Sequence, residues 1–172
     1  SNARNCAVRE AYGTYLIYVD SDDQVDTAQF THALQRIRED TSHRDVYFFD
    51  FYHDNHRTGK LEPWFQIGEG GNFQGVENIG KILRQHRCFW NVWRYICRRG
   101  FLMQNGITFL ENRMSEDVDY TTSVLLARPD TAFYHDPYYL YAVGRGTSLM
   151  DRPTLRRLED TVFVCLLYTS DA

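Results

Sequence analysis

The stretch "YLIYVDSDDQVD", Tyr15 to Asp26, runs from a hydrophobic, β-branched segment straight into four carboxylates, Asp20, Asp22, Asp23 and Asp26. Like charges this close repel, so their crowding at a strand end implies something that compensates them. The segment "TYLIYV", 14–19, is nearly continuous in apolar character, as strands covered on both faces tend to be. Before it, residues 3–12 place Ala3, Ala7, Val8 and Ala11 on one helical face, with Ser1 or Asn2 as cap and Gly13 as stop. After it, Asp26 or Thr27 caps a helix in which Phe30, Ala33, Leu34 and Ile37 follow the spacing of a core-facing stripe. A second strand follows at "DVYFFDFYH", 45–53. Helix, strand, helix, strand in close succession predicts an α/β layer with a largely parallel sheet.

Beyond residue 53 the order loosens. "HDNHRTGK" reads as a turn with Gly59, "IGEGGNFQG" as a Gly-rich loop, and 76–86 as a helix through Val76, Ile79, Ile82 and Leu83. A mixed aromatic stretch, "FWNVWRYICRRGFL", precedes a helix expected at 116–127 with Val118, Leu125 and Leu126 inward. "TAFYHDPYYLYAV", 131–143, reads as a strand interrupted by Pro137. "RPTLRRLEDTVFVCLL" reads as a helix with Pro153 in its first turn.

Composition bounds the function. The chain has 172 residues, 43% hydrophobic and 15% aromatic, enough for a sizeable core. A net charge of -4 and a pI near 5.8 argue against a nucleic-acid partner, because phosphate backbones demand a concentrated basic face. No apolar run reaches the roughly 18 residues of a membrane span, so no transmembrane segment is expected. Neither is there a signal-peptide pattern, and the chain reads as soluble and unsecreted. Cys6, Cys88, Cys97 and Cys165 lie far apart without CxxC spacing and read as reduced thiols of a cytosolic protein.

The chemistry concentrates at the strand end. Ligands of open α/β sheets bind at the carboxyl ends of strands. Asp20 and Asp22, separated by Ser21, can approach one hard divalent ion such as Mg²⁺ or Mn²⁺ with oxygen ligands. Aspartate also favours turns and caps, and for Asp26 that plainer reading is kept. A calcium loop starting at Asp20 fails, because Val25 and Thr31 stand where Gly and Glu are needed. A phosphatase with Asp20 as nucleophile and Asp22 as acid remains a distant alternative; "DQV" follows where such enzymes usually carry Gly-Thr. His53 and His56 with Asp50 and Asp54 straddle a turn, lack a convincing fourth zinc ligand and read as solvated. Trp90 and Trp93 could stack on a ligand ring, but read rather as core.

Three blocks carry a resemblance. "SNARNCAVREAYGTYLIYVDSDD" closely resembles the Ala-Arg-Asn, helix, Gly-x-Tyr, strand, Asp-Ser-Asp-Asp block of the family 2 glycosyltransferases of the bacterial polysaccharide type. "VWRYICRRGFLMQNGITFLENRMSEDVDYTTSVLL" resembles the acceptor-side block ending in the family's Glu-Asp motif, and "YYLYAVGRGTSLM" its Tyr-x-Tyr, Arg, Ser segment. "VWRYICRR" departs from variants reading Trp-Asn-Lys-x-Tyr, having Tyr95 and Cys97 instead. The resemblance implies an α/β, Rossmann-like A-type nucleotide-sugar fold, a mostly parallel sheet with flanking helices, lacking its first strand-helix units. It makes "SNA" native sequence and implies on the order of 60 further residues upstream. Residues 1–150 are expected to form a partial glycosyltransferase domain, and 151–172 a truncated helical segment.

The resemblance also implies roles. Such enzymes move a sugar from a nucleotide diphosphate to an acceptor hydroxyl in glycan synthesis, usually with inversion. Asp20 would contact the ribose side of the nucleotide, Asp22 would hold a Mn²⁺ or Mg²⁺ cofactor on the diphosphate, and Asp23 would support them. Asp117 falls on the catalytic base, with Glu116 beside it; both equally suit a helix's first turn. Arg4 and Asn5 match a pair near the nucleotide, although Arg4 could as well pair with an acidic neighbour. Arg145 would meet the diphosphate or brace a closing loop. His135 is either a late metal ligand or a strand-end histidine. The partners implied are a nucleotide-diphosphate-sugar donor and a glycan or lipid-linked acceptor, in the cytoplasm or at the inner membrane face. A non-catalytic carbohydrate- or partner-binding fragment of the fold is the second reading.

Overall fold

The structure, a computed structural model, describes residues 1–64, 90–145 and 154–169. The expected Gly-rich loop, the helix expected at 76–86, Cys88, Ser148 and Pro153 lie outside the described residues. Described in chain order are α1 (Asn2–Glu10), β1 (Tyr15–Ile17), β2 (Gln24–Val25), α2 (Thr27–Glu39), β3 (Val46–Asn55) and β4 (Lys60–Trp64). A 3₁₀ turn (Val92–Arg94), β5 (Tyr95–Arg98), α3 (Arg99–Gln104), α4 (Glu116–Leu126), β6 (Thr131–Val143) and α5 (Leu155–Leu167) complete them.

The strands form one sheet in the order β1-β5-β3-β6-β2, with β4 also paired to β3. The α/β architecture is as expected, but the strand directions are mixed. β3 and β6 are parallel, whereas β1 with β5, β3 with β5, β3 with β4, and β2 with β6 are antiparallel. β1 and β3 do run the same way, as a strand-helix-strand unit requires. The short reversed strand β5 lies between them, and no apolar periodicity in "YICR" announced it.

β3 explains why the sheet holds. Its first six residues are all buried, because alternate side chains enter two separate cores. Val46 and Phe48 join Tyr95, Phe101, Phe109, Tyr120 and Phe133 on one face. Tyr47, Phe49 and Phe51 join Ala33 and Ile37 of α2 with Trp93, Tyr138 and Tyr139 on the other. Edge position leaves β1 only half-buried rather than covered on both faces. In α1 the buried residue is Asn5, not the alanine stripe. In α4 it is Tyr120, Thr121 and Val124 with Asp119, while Leu126 is exposed.

Pro137 does interrupt β6, as a bulge rather than an end. Phe49 of β3 faces Tyr134 and Phe51 faces Tyr139, so β6 carries extra residues between them. That offset lets a proline without an N–H sit inside the strand. It also sets the phase of Tyr139 and Tyr141 beyond it.

Asp26 begins α2, its Oδ1 accepting the N–H groups of Ala28 and Gln29, both at 3.0 Å. Asp26→Ala is expected to cost about 1 kcal/mol of stability, read as a lower denaturant midpoint at unchanged slope.

Candidate functional site

The acidic strand end folds into a turn, the Asp23 N–H donating to the Asp20 carbonyl at 3.1 Å. Tyr139 fastens it from the sheet: its hydroxyl accepts the Asp20 N–H at 3.1 Å and donates to Asp23 Oδ2 at 2.7 Å. The Ala142 N–H donates to Asp23 Oδ1 at 2.9 Å. Asp23 is thus engaged by β6 on both oxygens. Burial raises its pKa, and the charges of Asp22 and Asp20 add to that, against the lowering by its two hydrogen bonds.

Asp22 points the other way. Its side chain is 68% exposed, with Arg145 Nη1 at 3.7 Å from the carboxylate. Arg145 also donates to the Asp22 carbonyl and lies beside His56. The four aspartates therefore divide into a cap (Asp26), an inward tether (Asp23), an exposed carboxylate (Asp22) and Asp20.

Asp20 meets the helix that precedes it. Arg4 Nη2 donates to Asp20 Oδ1 at 2.6 Å, and Arg4 Nη1 to Glu116 Oε1 at 3.2 Å. One guanidinium so joins α1, the strand end and the first turn of α4, residues as far apart as 4 and 116. Its fork geometry suits two carboxylates at once, and it also lies over the Phe109 ring at 5.3 Å. Asn5, the other half of the pair, is committed elsewhere. Its amide donates to the Phe109 carbonyl at 2.9 Å and accepts the Phe109 N–H at 2.8 Å, fixing the 109–111 loop.

Asp117 follows Glu116 in the first turn of α4, half-buried. Burial raises its pKa first, the adjacent Glu116 carboxylate second, while the Val118 N–H and Arg4 pull it down. A carboxyl poised above its ordinary range is a better proton acceptor near neutrality than an exposed one. Tyr141, two residues beyond Tyr139 on the same face of β6, feels the charges of Asp23, Asp22, Asp20 and Asp117 together.

The aromatic wall behind it is core. Trp93 stacks on Tyr139 with centroids 4.2 Å apart and rings 3° from parallel, and is buried; Trp90 is exposed. His135 sits within the β6 bulge, with Nδ1 2.8 Å from Asp50 Oδ2. His56 pairs with Asp54 at 3.3 Å. Among the described residues no group of three or more His, Cys, Asp or Glu could by itself hold a metal ion.

Sequence reasoning missed Tyr139 as the tether of the strand end. Residues two apart on a strand share a face, as Tyr139 and Tyr141 do, but the bulge that aims that face is a tertiary event. It also missed Phe109, whose backbone engages Asn5.

No helix among the described residues is long and apolar enough to cross a membrane. The chain resembles two uncharacterised glycosyltransferases over 82% of its length: EpsJ of Bacillus subtilis at 28% identity and YibD of Escherichia coli at 23%. It spans 41% of the length of each. Among solved structures, S. aureus TarS 1–349 in complex with UDP-GlcNAc superposes with a TM-score of 0.68 at 22% identity, over 95% of this chain and 45% of that one. The same protein in complex with UDP gives 0.62 at 23% identity, over 83% and 40%. These share the fold. The model of glycosyl transferase family 2 matches residues 1–104, and the chain belongs to that family.

Proposed function

We propose that this chain carries the donor-binding and catalytic side of an inverting glycosyltransferase, which moves a sugar from a nucleotide diphosphate to an acceptor hydroxyl. The observation that carries the reading is the Arg4 bridge, which puts Asp20 and the Glu116–Asp117 turn at one site. Asp20 binds the ribose side of the nucleotide. Arg145, beside the exposed Asp22, is the cation offered to the diphosphate. Asp117 takes the proton of the attacking hydroxyl as its oxygen bonds to the sugar's anomeric carbon and the bond to the diphosphate breaks. The TarS complexes support a uridine nucleotide as the probe to try first.

A divalent cation fits the donor set. Asp22 offers a hard, exposed carboxylate, and Mg²⁺ or Mn²⁺ typically binds through one or two such groups with phosphate oxygens and water supplying the rest. Bound there, it would stabilise the negative charge that accumulates on the departing diphosphate. The other residues do the holding: Tyr139 and Ala142 fix the turn through Asp23, the residue next to Asp22.

UDP binding to the whole protein should strengthen on adding Mn²⁺, and Asp22→Ala should abolish that increment, a loss of at least about tenfold by calorimetry. Mn²⁺-dependent binding that survives in Asp22→Ala would sink the metal role.

A further inference from the structure

The residues that lead into the Glu116–Asp117 turn are held by α5. Along one face of that helix Arg156, Asp160, Val164 and, just past its end, Tyr168 recur every four residues. Val164 and Asp160 are buried. Asp160 Oδ1 accepts from Arg113 Nη1 and Oδ2 accepts the Met114 N–H, each at 2.8 Å. Arg156 Nη2 donates to the Asn112 carbonyl at 3.2 Å, and the Ser115 hydroxyl lies 3.1 Å from that of Thr161. The Tyr168 hydroxyl donates to Asp119 Oδ1 at 2.6 Å. Every residue from 112 to 115 thus has a partner on α5, and Asp119 has one just beyond it.

Those residues need holding. Asn112 and Ser115 have φ of 60° and 66°, a left-handed backbone that asparagine tolerates but that serine rarely adopts. Such conformers persist only where surrounding contacts impose them. Ser115 is the cap position of α4, and it makes no side-chain capping bond to the helix. The direction in which Glu116 and Asp117 leave that residue is therefore set by the contacts of residues 112–115. The carboxylate of Asp160 makes two of them, and both partners, being donors, hold its pKa below the ordinary range.

The geometry points to Asp160 as a positioning residue for the proton-accepting turn: by fixing Arg113 and the Met114 amide, it sets where Glu116 and Asp117 stand. This rests on the function proposed above, in which Asp117 is the base. A second determinant of turnover then lies more than forty residues along the chain from Asp117, in a helix outside the segment matched by the family model.

The test compares Asp160→Ala and Asp160→Asn in the whole protein, by amide hydrogen exchange and by UDP release from UDP-GlcNAc with Mn²⁺. Asn keeps an oxygen for the Met114 N–H and serves where Ala fails to fold. Asp160→Ala should speed exchange at residues 114–118 by at least tenfold while β3 and β6 stay protected. It should lower kcat by about thirtyfold with KM for the donor within about twofold, and Asn should recover most of kcat. Unchanged exchange at 114–118, unchanged kcat, or a loss of kcat matched by an equal loss of donor affinity would overturn the proposal. Asp117→Asn separates the two ideas. If it retains turnover, the base assignment fails whatever Asp160 does; if it is inactive while Asp160→Ala is fully active, only the positioning role fails.

Discussion

Asp117→Asn is expected to lower turnover by about a thousandfold while leaving UDP affinity within about twofold. The amide keeps the size of the side chain and can still accept the Val118 N–H that Asp117 Oδ1 receives at 3.0 Å, so the first turn of α4 should persist. What it cannot do is take a proton. Loss of kcat with intact nucleotide binding is the signature of a group that acts on the reacting hydroxyl and not on the donor. The same carboxyl should shape the pH dependence. Burial and Glu116 raise its pKa, so the acidic limb of kcat should fall at a pH above the ordinary aspartate range. Stability runs the opposite way. A group whose pKa is higher folded than unfolded contributes stability fully present below the unfolded value and lost as pH rises through the folded one. At neutral pH the ionised Asp117 is therefore a liability, and Asp117→Asn should melt higher than the parent. A variant that is both less stable and weaker for UDP would instead mark Asp117 as structural.

How much of this was legible in the sequence follows from the range of each interaction. Asp26 as a cap and α2 as an amphipathic helix depend on neighbours within four residues, and both were readable. The two strands read as β1 and β3 came from apolar runs, and β3 needed both its faces covered. The mixed strand directions were not readable, because "YICR" of β5 is four residues long and takes its place from its partners. Within the site, residue types suggested the carboxylates, but what divides them is long-range. Asp23 is turned inward by Tyr139 and Ala142, and Asp20 is met by Arg4, and neither pairing leaves a local pattern. Asn5 shows the reverse problem. It stands next to Arg4 in sequence, yet one turns to the carboxylates and the other to the Phe109 backbone, since successive helical residues point about 100° apart.

Arg4→Ala is expected to lower kcat/KM for the donor by a hundredfold or more, the combined effect on two steps. Arg4 is the cation between Asp20 and Glu116, whose side chains are 33% and 24% exposed, so water compensates their loss only in part. Without it Asp20, proposed to meet the nucleotide, loses the bond that orients it, and donor affinity should fall. The second effect reaches Asp117. Arg4 is one of the influences that lower the Asp117 pKa, so its removal should move the acidic limb of kcat to still higher pH. Arg4→Lys should restore the limb's position, because the charge returns, but not the full affinity, because an ammonium cannot present two parallel donors to separate carboxylates. A double-mutant cycle decides whether the coupling is real. In the Asp117→Asn background Arg4→Ala should cost only its share of donor affinity, since no titrating base is left to perturb. Equal costs of Arg4→Ala in both backgrounds, with an acidic limb that does not move, would mean that Arg4 serves the nucleotide alone.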